Sequence, residues 1–221
     1  MNYCIAIDGP AGAGKSTIAK LVAKKLEFIY VDTGAMYRAM GLYFTENNFD
    51  VNNHEDIVKA CETADITIEY KDGEQIVVLN GENVNGKIRT EEAGKMASAV
   101  ATIKEVRVKL VELQRKLASV QNVIMDGRDV GTQILPNANL KVYLTASSAE
   151  RAKRRWKENT EKGIVCDLAT IEADIIARDE QDMNREISPL RQAEDAILLD
   201  SSFMTIDEVV EEIIRLYQQH K

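Results

Sequence analysis

Cysteine, histidine and aromatic residues are all scarce in this chain of 221 residues, and its 28 Lys and Arg are outnumbered by 36 Asp and Glu. There are three cysteines and two histidines, aromatic content is 5%, and the formal net charge is -8. Cys4, Cys61 and Cys166 lie far apart and form no C-x-x-C pair. That argues against a cysteine metal site or a disulfide framework and fits reduced thiols in a cytoplasmic protein. His54 and His220 stand in polar surroundings and read as solvated surface, not as metal ligands or general bases. The acidic balance argues against a nucleic-acid binder, whose affinity needs a cationic surface. Few aromatics also leave little on which unpaired bases could stack. No apolar run approaches the roughly 20 residues that span a bilayer. No membrane association is expected. The first strand-like run begins at Tyr3, so no secretory signal is expected either.

What is present is an ordinary globular composition, 45% hydrophobic and 29% charged, in a length suited to one domain or a core with an inserted lobe. Near the start, Gly9-Pro10-Ala11-Gly12-Ala13-Gly14-Lys15-Ser16-Thr17 reads G-x-x-x-x-G-K-S-T. It follows the apolar run Tyr3-Cys4-Ile5-Ala6-Ile7-Asp8 and precedes an amphipathic stretch from Ser16 to Leu26. Strand, glycine loop and helix form the context in which this pattern cradles phosphate. Small residues let the loop curl until its N–H groups converge, and a helix N-terminus adds further donors and partial positive charge. In this pattern Lys15 reaches the β- and γ-phosphates of ATP, and the Ser16 hydroxyl sits on Mg²⁺.

Four further apolar runs resemble the first: Phe28–Val31, Val123–Met125, Leu140–Leu144 and Ala196–Leu199. Most are followed by a helix-like segment, the signature of an α/β protein with parallel strands. Functional groups in such sheets gather beyond the C-terminal strand ends, where Asp32, Asp126 and Asp129 fall. Capping boxes are expected at Ser147…Glu150, Thr205…Glu208 and Thr102…Glu105. Between the second and third core runs lies a stretch too long for a simple crossover. Within it, Ile66–Tyr70 and Gln75–Leu79 flank Lys71-Asp72-Gly73-Glu74, which predicts a hairpin. Helices are expected over Glu91–Ala101 and Lys104–Val120. The whole reads as a small lobe able to move relative to the core.

Arginines follow the strand ends: Arg38 after the second run, Arg128 after the third, Arg178 and Arg185 before the last. Guanidinium forks fit phosphate bidentately and keep their charge, so Arg38 and Arg128, both in glycine-containing turns, suggest a second anionic ligand. Arg151, Arg154 and Arg155 share one helical face. They are either a solvated helix paired with Glu150 and Glu158 or a lid over the donor phosphates, closing the site to water.

With these elements in place the chain resembles bacterial cytidylate kinases. The first loop, D-T-G-A-M-Y-R at 32–38, I-R-T-E-E at 88–92, D-G-R-D-V-G-T at 126–132 and R-D-E-Q-D-M-N-R at 178–185 occur in that family's order. The resemblance implies transfer of the γ-phosphoryl group of ATP to CMP or dCMP. It also implies a P-loop NTPase core with a five-stranded parallel sheet flanked by helices, an inserted NMP-binding lobe with a small antiparallel β element, and a short lid. The expected core is 1–34 and 121–221, with the lid at about 150–165 and the lobe at 35–120, its hairpin insert covering about 64–90.

Carried over by position, the resemblance puts Gly9 through Thr17 with Arg151 and Arg155 on ATP. Arg38 and Arg128 meet the acceptor phosphate, and with Lys15 and Arg154 form the catalytic set. The cytosine pocket is Thr33, Arg107, Asp129 and Arg185, with Ser98, Arg178 and Asp182 at the pentose and Tyr37 beside them. Thr33 stands where some relatives have Ser. The metal falls to Ser16 and to Asp126, which either holds a magnesium-bound water or orients its loop. The alternatives are a kinase accepting UMP or another small acceptor, and a P-loop switch, which would need an absent N-K-x-D signature. No long exposed apolar stripe demands a partner, so a cytoplasmic monomer is expected.

Overall fold

The computed structural model describes residues 2–71 and 74–221, and of Glu91 only the backbone. The chain opens with β1 (Cys4–Asp8), α1 (Lys15–Leu26), β2 (Ile29–Asp32), α2 (Thr33–Glu46) and α3 (His54–Thr63). A small antiparallel sheet follows, made of β3 (Ile66–Lys71), β4 (Glu74–Leu79) and β5 (Glu82–Asn83), then α4 (Glu91–Val100) and α5 (Lys104–Val120). The remainder is β6 (Val123–Gly127), a π-helical turn (Val130–Ile134), β7 (Leu140–Thr145), α6 (Ser148–Glu161), α7 (Leu168–Asn184), β8 (Ile197–Asp200) and α8 (Ile206–His220). The five core strands form one parallel sheet in the order β2-β6-β1-β7-β8. The α/β class is as the sequence indicated.

β1 is apolar without alternation because a strand covered on both faces buries every side chain, and Ile5, Ala6 and Ile7 are all buried. It pairs with β7 from Ile5↔Leu140 to Asp8↔Tyr143, and β7 pairs with β8 from Val142↔Ile197 to Thr145↔Asp200. The strands therefore end together, and Asp8 and Asp200 lie at their C-terminal ends.

The chain divides into two compact units, Tyr3–Phe28 with Ile124–Lys221, and Ile29–Val123. Ile5, Ile7, Ile124, Met125 and Leu144 are fully buried in the first, while Met36, Met40, Phe44, Ile88 and Leu110 are fully buried in the second. A satellite cluster of Ala152, Ile171 and Ile175 joins α6 to α7. α5 buries Val106, Leu110, Gln114 and Ala118, a spacing of four that makes one helical stripe. α2 and α4 approach closely at Gly41, where a Cβ would lie 2.9 Å from Met96 Cγ.

The predicted hairpin forms as β3 and β4, in register from Ile66↔Leu79 to Lys71↔Glu74. Its expected turn residues Asp72 and Gly73 lie outside the described residues. β5, which pairs with β4 at Val78↔Asn83, was not anticipated. Thr205 and Glu208 form the full reciprocal capping box. Ser147 accepts from the Glu150 N–H, but the Glu150 carboxylate turns to Lys153. The Thr102 box is absent. Ile103 caps α5 without a side-chain bond, and Thr102 Oγ1 donates back to the Ala99 carbonyl at 2.8 Å. α5 starts at Lys104, one residue later than the box requires, so Thr102 does not stand at the cap position.

Candidate active site

β1 leads into the glycine loop, and packing dictates the loop's first residue. Gly9 has φ +150, and a Cβ there would sit 1.9 Å from the Leu144 carbonyl oxygen of β7. Only glycine allows this approach. Gly14 caps α1 in a left-handed conformation, with no side-chain cap and no acidic residue in the first turn. The positive end of the helix dipole is therefore not neutralised from within. Lys15 is 5% exposed and its Nζ donates to the Pro10 carbonyl at 2.7 Å, across the loop. Burial, and then the Arg128 charge, push its pKa down to about 7 against the pull of Asp126, Asp8 and Asp182. An anion in the loop would restore the ammonium form.

Ser16 Oγ donates to Asp126 Oδ2 at 2.8 Å, so the first helical turn and the end of β6 share one pair of oxygen donors. Among the described residues no group of three or more His, Cys, Asp or Glu could hold a metal by itself. A hydroxyl and a carboxylate suit Mg²⁺, which takes few protein ligands and completes its shell with phosphate and water. The donor set fits that ion.

Beyond β6, Arg128 Nε donates to Asp182 Oδ2 of α7 at 2.7 Å. Arg185 Nη2 lies 3.8 Å from Asp129 Oδ1, and its Nη1 lies 4.0 Å from Asp182 Oδ1. Arg178 and Asp182, four residues apart, share one face at the end of α7, and Arg185 follows as its extended C-cap. The loop after Arg128 is held by a residue that sequence reasoning did not single out. Asp8 accepts from the Val130 N–H at 2.8 Å and from the Gly131 N–H at 2.7 Å. It caps the π-helical turn, a task the Asp129 side chain does not perform. Burial raises the Asp8 pKa to about 6, more than these two bonds lower it. The available signal was that Asp8, like Asp32 and Asp126, is an aspartate at a strand end.

The arginines of α6 are unlike one another. Arg151 is buried and donates to the Ala146 carbonyl, to the Ala11 carbonyl of the glycine loop, and to Asp179 Oδ2 at 2.6 Å. Arg154 donates to the Ser201 carbonyl at 2.6 Å. Arg155 is exposed. Glu150 and Glu158 pair with Lys153 and Lys162. The segment at 150–165 is helix through Glu161, followed by a left-handed turn at Gly163.

Within the other unit, the Asp32 carboxylate caps α2 by accepting from the Ala35 N–H at 2.8 Å. Its second oxygen takes Arg38 at 2.9 Å and Arg89 at 3.3 Å. Arg89 stands in the I-R-T-E-E run, which had carried no residue role. Arg38 Nε is buried with no hydrogen-bond partner among the described residues. The Arg107 guanidinium lies 5.6 Å from the Tyr37 ring centroid and donates to the Ala101 carbonyl. Thr33 is buried at the start of α2, and Ser98 Oγ donates to Gly94 on α4.

A parallel sheet ending in a glycine cradle, with a lysine and a serine–aspartate pair at its floor, defines a P-loop nucleotide-binding protein. The family profile for cytidylate kinases matches residues 5–219. A cytidylate kinase of Caldicellulosiruptor bescii is 51% identical over 213 residues, 96% of this chain and 94% of that protein. One of Lactobacillus johnsonii is 50% identical over 221 residues, covering 99% and 96%. The chain belongs to the cytidylate kinase family. A solved structure of an uncharacterized protein from Eubacterium ventriosum shares the fold, with a TM-score of 0.54 at 13% identity over 99% of both chains.

Proposed function

We propose that this protein transfers the γ-phosphoryl group of ATP to CMP or dCMP, giving ADP and CDP or dCDP. The observation that carries the reading is the set of buried Lys15, the partly buried Ser16–Asp126 pair and the partly buried Arg128–Asp182 pair beyond the ends of β1 and β6, in a chain matched to the family over nearly its whole length.

Residues Gly9 to Thr17 wrap the donor polyphosphate, and Lys15 neutralises charge on the migrating group. Ser16, with Asp126 directly or through a water, would hold Mg²⁺, which would screen the phosphate oxygens. Arg151 shapes the loop through the Ala11 carbonyl, while Arg154 and Arg155 are the α6 arginines with side chains at least partly in solvent. Arg38 and Arg128 receive the acceptor phosphate. The unpartnered Arg38 Nε is a donor suited to an anion. Asp129, Arg185, Thr33 and Arg107 recognise cytosine, with Tyr37 under Arg107. Ser98, Arg178 and Asp182 serve the pentose. A phosphate monoester is already an anionic nucleophile, so positioning and charge neutralisation suffice without a general base.

The reading carries a cytoplasmic monomer with it. Cys4, Cys61 and Cys166 are free, and no helix among the described residues is long and apolar enough to cross a membrane. The test is a coupled assay with ATP and each nucleoside monophosphate. Stoichiometric ADP and CDP from CMP is the expected result. ATP turnover that no monophosphate stimulates would end the reading.

A further inference from the structure

β2 is an outer strand of the five-stranded sheet, so among the described residues one of its edges has no strand paired to it. Residues two apart in a strand present their N–H and C=O groups to the same edge. Ile29 donates to the Asn122 carbonyl, which assigns Ile29 and Val31 to one edge and Tyr30 and Asp32 to the other. The second edge is not bare. The Tyr70 hydroxyl donates to the Tyr30 carbonyl at 3.0 Å. The Asp32 N–H donates to Gln75 Oε1 at 2.7 Å, and Gln75 Nε2 donates to the Asp32 carbonyl at 3.4 Å. Tyr70 and Gln75 are directly opposed in the β3–β4 register, so both side chains leave the hairpin from the same face. Two side chains do here what a sixth strand would otherwise do.

The arm that reaches Asp32 is itself anchored. The Gln75 carbonyl accepts from Asn85 Nδ2 at 2.8 Å, and Asn85 Oδ1 accepts from the Val77 N–H at 3.0 Å. Burial raises the Tyr70 pKa, so its hydroxyl remains a donor at neutral pH. On the far side of this grip, the Asp32 carboxylate holds Arg38, Arg89 and the first turn of α2.

We propose that Gln75 is a positioning residue for the phosphoryl acceptor: by clasping both backbone groups of Asp32 it fixes the carboxylate that orients Arg38 and Arg89. The inserted sheet thereby acts on the reaction without touching the nucleotide. This rests on the assignment of Arg38 to the acceptor phosphate.

The experiment compares Gln75→Ala, Tyr70→Phe and Arg38→Ala in full steady-state kinetics with CMP and ATP, alongside thermal melts. Gln75→Ala loses the bonds that orient Arg38, and its KM for CMP rises roughly fivefold to tenfold, the scale of one or two hydrogen bonds, while its KM for ATP stays within about twofold. Tyr70→Phe removes the neighbouring bond to Tyr30, lowers the melting temperature comparably, and leaves the CMP KM within about twofold. Arg38→Ala raises the CMP KM further than Gln75→Ala does. An unchanged CMP KM in Gln75→Ala, beside a raised one in Arg38→Ala, overturns the clasp alone. Equal CMP effects in Gln75→Ala and Tyr70→Phe, or a parallel rise in the ATP KM, reduce Gln75 to a structural prop and also overturn it. An unchanged CMP KM in Arg38→Ala removes the acceptor assignment, and the clasp with it.

Discussion

Asp8 is a carboxylate with both oxygens engaged and a pKa that is nonetheless raised to about 6. Two backbone N–H bonds favour its charge, but burial away from water disfavours it more. An aspartate whose folded pKa lies above its unfolded value stabilises the fold most when protonated. That contribution is complete below about pH 4 and is lost as pH rises through about 6. Asn at this position keeps the shape and cannot titrate. The urea-derived stability of the wild type relative to Asp8→Asn is therefore expected to fall by roughly 1 kcal/mol between pH 5 and 7.5. A difference that is flat with pH would show that Asp8 is not held in this way. Its place at a strand end is the one local signal, and it does not name the partners Val130 and Gly131, which lie more than 120 residues away. Lys15 was legible for the opposite reason, since its loop carries its own geometry within nine residues.

Among the elements, what the sequence disclosed was whatever local spacing controls. Buried parallel strands show as short apolar runs, and the α5 stripe shows as a spacing of four. The β3–β4 hairpin shows as two β-branched runs around a turn. β5 escaped because two residues have no periodicity to read. The π-helical turn escaped because its cap comes from β1. Capping separates the two cases well. Thr205 and Glu208 satisfy each other, whereas the hydroxyl of Thr102 belongs to the end of α4. Thr205→Ala is expected to cost about 1 kcal/mol, and Thr102→Ala no more than about 0.5 kcal/mol, both read by chemical denaturation. Equal losses would mean that the box on α8 is not what secures that helix. The candidate site divides likewise. Strand-end aspartates and arginines were visible as a set, but their pairings were not. Arg151 finds Asp179, and Arg89 finds Asp32, across 28 and 57 residues.

At the scale of the molecule, an acidic chain with a net charge of -8 assigns its arginines at the strand ends to named carboxylates and to a proposed anionic acceptor. Such pairs are costly to bury and strongly destabilising to break, so they set geometry more than they add stability. Base choice is the consequence that follows most directly. An ionised Asp129 can only accept hydrogen bonds, and cytosine offers its N4 amino group as donor. With Asp129 on the base as proposed, uracil would set a carbonyl oxygen against the carboxylate, an unsatisfied buried contact costing on the order of 1–3 kcal/mol. Arg185, 3.8 Å away, marks the competing role, in which Asp129 serves only as its ion-pair partner. The decisive measurement is kcat/KM for CMP and for UMP, in the wild type and in Asp129→Ala. The wild type is expected to favour CMP by at least roughly tenfold to a hundredfold, and the mutant to lose most CMP activity while that ratio narrows. A CMP/UMP ratio unchanged by the mutation, or near unity in the wild type, would contradict the account.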